Sequence, residues 1–115
     1  AMSIEIWHNP RCSKSRQALA LLEQHNIPAR VVLYLKTPPT RVELEQAHRL
    51  LNRPVLAMMR QKDPLFRRLG LSKTSSDRSL FEALENHPSL IERPIVITDK
   101  GAAIGRPPEA ILELL

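Results

Sequence analysis

The fold can be predicted from residues 3–34, which read SIEIWHNPRCSKSRQALALLEQHNIPARVVLY. Residues 3–7 alternate between polar and apolar side chains, as expected of a strand. Ser13 is predicted to be the N-cap of a helix that runs to about His25. The β-branched run in Ala29–Tyr34 predicts a second strand that is central in a sheet. A strand, a helix and a strand in so short a stretch indicate a βαβ unit with parallel strands.

The middle third of the chain carries a series of helix-start signals. Each signal is either a side-chain oxygen, which can accept a hydrogen bond from an unpaired amide of the first turn, or a proline, which has no N–H to leave unpaired. The predicted starts are Thr40 (a capping box with Glu43), Pro54, Asp63-Pro64 and Ser76. We therefore expect a helical insertion over about residues 40–88.

The last third returns to strands. Ile95–Thr98 is apolar and β-branched, Asp99-Lys100-Gly101 is a tight turn, and Ala102–Ile104 pairs back as an antiparallel hairpin. Pro107 begins a final helix. The order predicts an α/β, thioredoxin-like fold: a four-stranded mixed sheet flanked by helices, with the insertion between strands 2 and 3.

Length and composition indicate one globular domain over residues 1–115. No apolar run approaches the ~18 residues that a membrane span needs, and no export leader is visible, so the expected location is the cytoplasm. The net charge is +5, with 17 Lys and Arg residues. The basic residues are dispersed and only four residues are aromatic, which disfavours nucleic acid as a partner. A small anion fits this composition better.

The chain contains a single cysteine, Cys12. One cysteine cannot form an intrachain disulfide, and a structural zinc site, which usually needs several cysteines, is also excluded. Cys12 is therefore either an inert, partly buried thiol or a reactive one. If it is reactive, a thiol from another molecule must resolve any disulfide that it forms.

The position of Cys12 favours the reactive alternative. It stands between a strand and a helix start, where unpaired amides and the helix dipole stabilise a thiolate. Arg11, Lys14 and Arg16 add nearby positive charge, and His8 does so when protonated. We therefore expect the pKa of Cys12 to be lowered.

A thiolate accepts an anionic substrate only where cations offset the repulsion. Arg60, Arg93 and Arg106 each stand at the end of a predicted element, and spacing alone does not select among the arginines. A phosphatase loop is excluded, because position 18, where its arginine would stand, is Ala. Ser15 excludes a Cys-x-x-Cys dithiol.

Four motifs together resemble the glutaredoxin-coupled arsenate reductase family. They are residues 8–16 (HNPRCSKSR), 34–40 (YLKTPPT), 91–98 (IERPIVIT) and 106–109 (RPPE). The resemblance runs in order across almost the whole chain. One departure is Ser13-Lys14, where well-characterised reductases have small residues after the cysteine.

The resemblance implies a thioredoxin-like fold and arsenate reduction with Cys12 as the nucleophile. Glutathione would then resolve the cysteine–arsenic adduct and glutaredoxin would complete the reduction, with no bound metal or cofactor. The resemblance also implies roles for five other residues. They are an oxyanion-binding triad of Arg60, Arg93 and Arg106, with His8 helping to lower the cysteine pKa and Ser15 as a hydrogen-bond partner of the sulfur.

Two alternatives stay open. One is a redox enzyme of the same fold that acts on glutathione mixed disulfides. The other is a non-enzymatic regulator that binds RNA polymerase or another partner. The lone cysteine and the arginines weigh against the regulator and only weakly against the redox enzyme.

Overall fold

A computed structural model describes residues 4–115, which form two compact units. The sheet unit contains the residues up to Thr37 together with Arg93–Leu115, and the helical unit is Pro38–Glu92. The predicted insertion, about residues 40–88, falls within the helical unit. A single domain over residues 1–115 stays a prediction.

The sheet unit contains four strands and two helical segments. Its elements are β1 Ile4–Trp7, α1 Ser13–Gln24, β2 Arg30–Val32, β3 Ile95–Thr98, β4 Ala102–Ile104 and a 3₁₀ helix Pro108–Leu114. The strands lie in the order β2-β1-β3-β4. Strands β1 and β2 are parallel, whereas β3 pairs antiparallel with both β1 and β4. The mixed four-stranded sheet is therefore confirmed, and Ser3 of the predicted first strand lies outside the described residues.

Alternation along β1 builds the core of the sheet unit. Ile4 and Ile6 point to one face, where they pack against the buried face of α1. Burying an aliphatic side chain of this kind contributes about 1.5–3 kcal/mol. The buried hydrophobic cluster of this unit consists of Ile4, Ile6, Ala18, Leu22, Val96 and Ile111.

Strand β2 differs from the prediction in length and in place. It covers only Arg30–Val32 and lies at the edge of the sheet, paired with β1 alone. The chain turns directly after it, with the amides of Lys36 and Thr37 bonded to the Leu33 carbonyl. Val31 is 43% exposed. A continuous β-branched run therefore marked a strand correctly, but the inference that it is central was wrong.

Two helix predictions also need correction, and the last predicted helix forms with a different helix type. Helix α1 begins at Ser13 with Cys12 as its N-cap, so the predicted cap was one residue late. The segment after Pro54 forms a short 3₁₀ helix, Val55–Met58, which ends before the predicted Arg60. The last segment is also 3₁₀ rather than α-helical. Capping and proline signals located these segments without distinguishing the two helix types.

The helical unit begins its α-helices where the sequence predicts. Thr40 and Glu43 form a reciprocal capping box, with bonds of 3.2 and 2.9 Å. Asp63 and Ser76 cap the next two helices through their side-chain oxygens. The elements are α2 Arg41–Leu51, 3₁₀ Val55–Met58, α3 Pro64–Arg68, α4 Asp77–Asn86 and 3₁₀ Pro88–Leu90.

Helices α2 and α4 pack on each other through their apolar faces. Arg41 reinforces the pair, because its guanidinium lies 5.6 Å from the centre of the Phe81 ring and 3.7 Å from a Glu85 oxygen. Among residues 4–115, no helix is both long and apolar enough to cross a membrane.

Candidate active site

Cys12 lies at the junction between the loop that follows β1 and the first turn of α1. Its backbone is extended (φ −94°, ψ 123°), and its N–H donates to the Asn9 carbonyl at 3.0 Å. The side chain is buried and makes no capping hydrogen bond of ordinary geometry. The amides of the first helical turn are therefore directed at a sulfur rather than saturated by an oxygen.

The surroundings of Cys12 favour its thiolate. Burial raises the pKa of the thiol, but this effect is outweighed by the Ser15 amide, the positive charge of Arg93 and the Lys14 amide. A hydrogen bond from the Arg93 side chain adds to the same effect. The pKa of Cys12 is consequently lowered below its ordinary value, as predicted from its position.

The charge that acts on the sulfur comes from a residue remote in sequence. Arg93 supplies it, whereas the side chains of Arg11, Lys14 and Arg16, which lie near Cys12 in the sequence, are exposed to solvent. Solvent screens exposed charges strongly. The loop itself thus contributes mainly its backbone dipoles.

His8 and Ser15 form a buried pair beside the cysteine. His8 Nδ1 lies 2.6 Å from Ser15 Oγ, and the same oxygen accepts the Asn9 N–H at 3.0 Å. Burial lowers the pKa of His8, and the charge of Arg16 lowers it further. The imidazole is therefore neutral at pH 7, and the Ser15 hydroxyl can donate to it.

This pair changes how two of the predicted support residues act. Ser15 meets the sulfur through its backbone amide, while its hydroxyl is engaged by His8 and by the Asn9 N–H. A neutral His8 brings no positive charge to the thiolate, and its hydrogen bond joins it to Ser15, the residue whose amide meets the sulfur. The influence of His8 on the cysteine pKa stays a prediction.

Asn9 organises the loop and was not identified as a functional candidate from the sequence. Its carbonyl accepts the Cys12 N–H, its Oδ1 accepts the Arg11 N–H at 3.0 Å, and its own N–H donates to Ser15. Arg16 adds a bond of 2.8 Å to the Pro10 carbonyl. The available signal was an Asn-Pro pair one residue beyond a strand, which is typical of an Asx turn.

Two of the predicted arginines meet at the sulfur. Arg106 Nη2 lies 3.8 Å from Cys12 Sγ, and Arg106 Nε donates to the Arg93 carbonyl at 2.9 Å. Arg93 donates from its side chain to the cysteine. The Arg93–Pro94 and Arg106–Pro107 peptides are both cis. The sheet unit thus brings together one thiolate and two guanidinium groups.

Arg60 belongs to the helical unit. It follows an isolated antiparallel bridge between Met59 and Ile91. Its guanidinium lies 3.2 Å from an Asp63 carboxylate oxygen and 3.3 Å from the Ser89 carbonyl oxygen, to which it donates. Its part in oxyanion binding stays a prediction.

The geometry of the sheet unit suits nucleophilic attack on a small oxyanion. The thiolate is the attacking group, and guanidinium groups are well matched to tetrahedral oxyanions because they donate two hydrogen bonds in one plane. Within residues 4–115, no group of three or more His, Cys, Asp or Glu side chains could hold a metal ion.

The chain is similar to known proteins over nearly its whole length. It is 50% identical over 117 residues to a protein named arsenate reductase from Neisseria meningitidis serogroup A, with 97% of each chain covered. It is 48% identical to a protein of the same name from Haemophilus influenzae, in an alignment that covers 99% of this chain and 100% of the relative. The solved structure of the arsenate reductase from Vibrio cholerae matches with a TM-score of 0.95 at 50% identity, covering 100% and 99% of the two chains.

These similarities agree with the predicted thioredoxin-like fold, in which a mixed sheet carries the cysteine loop. Residues 7–114 match the sequence model of the ArsC family, and this range includes every candidate site residue described above. The chain therefore belongs to the ArsC family.

Proposed function

We propose that this chain is an arsenate reductase, an oxidoreductase that uses Cys12 as its nucleophile and takes electrons from glutathione and glutaredoxin. The observation that carries the proposal is a single thiol of lowered pKa beside two arginine side chains. Relatives that are 50% and 48% identical over 97% and 99% of this chain are named arsenate reductase.

Substrate capture follows from charge. Arsenate is a dianion or monoanion near pH 7 and would be repelled by a lone thiolate. Arg93 and Arg106 offset that repulsion with charge-assisted hydrogen bonds, each worth about 1.5–3 kcal/mol. Arg60 is the third member of the proposed oxyanion set.

The first chemical step is attack of the Cys12 thiolate on As(V). The Sγ–As bond forms, and an As–OH bond breaks as that oxygen takes a proton and leaves as water. Arsenic remains As(V) in this adduct. The two guanidinium groups stabilise the negative charge that increases on the remaining oxygens.

The second step needs thiols from outside the chain, because Cys12 is the only cysteine. Glutathione replaces another oxygen on arsenic, and that oxygen leaves as water. A glutaredoxin thiolate then attacks the glutathione sulfur, so that an S–S bond forms, the As–S(glutathione) bond breaks and its electron pair stays on arsenic. Arsenic is thereby reduced to As(III), the two thiols are oxidised to a mixed disulfide, and water releases arsenite from Cys12.

The proposed location is the cytoplasm. A mechanism that depends on a free thiolate and on reduced glutathione requires a reducing compartment.

The test is arsenate-dependent NADPH oxidation in the presence of glutathione, glutaredoxin and glutathione reductase. The wild-type chain should turn over arsenate, and Cys12→Ser should lose at least a thousandfold in rate while its circular dichroism is unchanged. Omitting glutaredoxin or glutathione should stop turnover.

The same preparations distinguish the alternative redox activity. Glutathione release from a glutathionylated peptide, with no response to arsenate, would replace the proposed function with the mixed-disulfide alternative. Arsenate turnover that persists in Cys12→Ser would overturn the mechanism.

A further inference from the structure

Gly105 stands directly before Arg106, in a space that admits no side chain. A Cβ built on Gly105 would lie 2.7 Å from Pro94 Cγ, 3.2 Å from Pro94 Cδ and 3.4 Å from Ala18 Cβ. Separations below about 3.0 Å essentially never occur for a real Cβ. The obstacle is a rigid proline ring rather than the end of a flexible side chain, so an added methyl group must displace backbone.

The requirement for glycine here is steric and not conformational. Gly105 does not have the positive φ that favours glycine, whereas Gly70 has a φ of +76° and nothing within 4 Å of the point where a methyl group would lie. Gly105 thus serves close approach between two segments of the sheet unit.

That close approach joins the two segments that carry the arginines. The Gly105 N–H donates to the Pro94 carbonyl at 2.9 Å, and Arg106 Nε donates to the Arg93 carbonyl at 2.9 Å. A further bond of 2.8 Å, from the Arg106 N–H to the Ile104 carbonyl, makes a tight turn about Gly105. Together these bonds set the place from which Arg106 reaches Cys12.

The two sides of this contact are not equally free to move. Pro94 leads into β3, which is paired on both sides and whose residues Ile95 and Val96 are fully buried. Gly105 follows β4, the edge strand, and Arg106 is exposed. A methyl group on Gly105 would therefore displace the Gly105–Arg106 segment rather than Pro94.

We propose that Gly105 is a positioning residue for Arg106: its missing side chain allows the segment to lie against Pro94, which sets the Arg106–Arg93 bond and holds the Arg106 guanidinium beside Cys12. The role of Arg106 in holding an oxyanion rests on the proposed function, whereas its dependence on Gly105 does not.

The test compares four variants with the wild type. Gly105→Ala adds the methyl group, and Arg106→Met removes the guanidinium. The double variant shows whether the two changes act through one group. Gly70→Ala is the matched control, because it strains the backbone of the helical unit and lowers stability without altering the Arg93–Arg106 contact.

The first measurement is independent of any substrate. Hydrogen exchange of the Arg106 Nε–H, followed by NMR, should be slowed in the wild type and in Gly70→Ala by the bond to Arg93. In Gly105→Ala it should become at least tenfold faster. Unchanged exchange in Gly105→Ala would overturn the inference.

The second measurement is protection of Cys12 by arsenate against iodoacetamide, a neutral reagent that needs no oxyanion site. Gly105→Ala should require about tenfold more arsenate for half protection, equivalent to about 1.4 kcal/mol, when protection is expressed relative to each variant's own alkylation rate without arsenate. In the Arg106→Met background, the same substitution should have no further effect. Additive effects in the double variant would show that Gly105 does not act through Arg106 and would overturn the inference.

The two proposals fail differently. If the wild type shows no arsenate turnover while the Arg106 Nε–H exchanges fast in Gly105→Ala, the proposed function is wrong and the positioning role of Gly105 stands. If the wild type turns over arsenate while the effects of Gly105→Ala and Arg106→Met on arsenate protection are additive, the proposed function stands and the positioning role is wrong.

Discussion

Helix α1 and the three α-helices of the helical unit begin in opposite ways. Thr40, Asp63 and Ser76 each accept a backbone N–H with a side-chain oxygen at the start of their helices. Cys12 occupies the same N-cap position in α1 and makes no such bond. A sulfur is a weak acceptor in its thiol form, and a good one when it carries a negative charge.

The difference separates stability from reactivity. An oxygen cap contributes about 1 kcal/mol to a helix because it saturates a free amide. At Cys12 the Lys14 and Ser15 amides instead favour ionisation of the thiol. The first turn of α1 thus lacks an oxygen cap and stabilises an ionised thiol instead.

Removal of the Arg93 charge should have the largest effect on this helix start. Arg93→Gln should raise the pKa of Cys12 towards its ordinary value, because the Arg93 charge is one of the effects that outweigh burial of the thiol. We expect kcat/KM for arsenate to fall about 10- to 100-fold, the loss of one charge-assisted bond. The pH profile of iodoacetamide alkylation measures the first effect and the coupled assay the second.

A matched variant in the same unit controls for net charge. Arg30→Gln removes a positive charge from an exposed residue whose ion pair with Glu5 has a separation of 3.6 Å. It should leave both measurements unchanged. An alkylation profile that is the same in Arg93→Gln and wild type would show that the Arg93 charge does not stabilise the thiolate.

The capped helices also show which parts of the fold are predictable from sequence. Local sequence suffices to predict two of the helix starts, because each signal lies within four residues: Thr40-x-x-Glu43 and Asp63-Pro64. The place of β2 in the sheet depends on where β3, from the other end of the chain, pairs. Because β3 pairs with β1 and not with β2, strand β2 lies at the edge. A β-branched run is therefore insufficient to distinguish an edge strand from a central one.

The same distinction holds for the site. The strand–loop–helix pattern predicts that helix amides act on Cys12, and in the structure the Lys14 and Ser15 amides lower the pKa of its thiol. The approach of Arg93 and Arg106 to the sulfur joins distant segments, and only a family resemblance selected these arginines from the twelve in the chain. The protonation of His8 depends on burial, which spacing does not reveal.

The next test asks whether Ser15 supports the sulfur through its amide or its hydroxyl. Ser15→Ala leaves the amide in place and removes the oxygen that binds His8 and the Asn9 N–H. The buried His8 ring and the partly buried Asn9 N–H lose a partner, so the free energy of unfolding should fall by about 1–3 kcal/mol. The pKa of Cys12 should stay below its ordinary value.

Urea unfolding and the alkylation pH profile measure these two quantities on one sample. Ser15→Thr, which retains a hydroxyl, is the companion variant for stability. Return of the cysteine pKa to its ordinary value in Ser15→Ala would assign the support to the hydroxyl.

A smaller effect is expected where a helix start has only a structural role. Thr40→Ala removes the oxygen half of the capping box and should lower the free energy of unfolding by about 1 kcal/mol. Thr40→Ser should retain most of the stability. Arsenate kcat/KM should be within twofold of wild type in both, and a larger change would mean that this cap also serves the reaction.

The smallest effect is a pH dependence of stability that only the α1 start should show. The pKa of Cys12 is lower in the folded chain than its ordinary value of 9.0. At a pH between these two values, the unfolded chain binds more protons than the folded chain, so stability rises with pH. The contribution is complete above 9.0 and is lost as pH falls through the folded pKa.

Cys12→Ser isolates this contribution, since serine does not titrate in the range and supplies an oxygen cap that is independent of pH. The difference in free energy of unfolding, wild type minus Cys12→Ser, should be flat at low pH, rise as pH approaches 9.0 and become flat again above it. Urea titrations from pH 6 to about 10.5 with a reductant would trace the curve. A difference that does not change with pH would mean that the Lys14 and Ser15 amides and Arg93 together do not outweigh burial of the thiol, and the contrast with the oxygen-capped helices would then be one of stability alone.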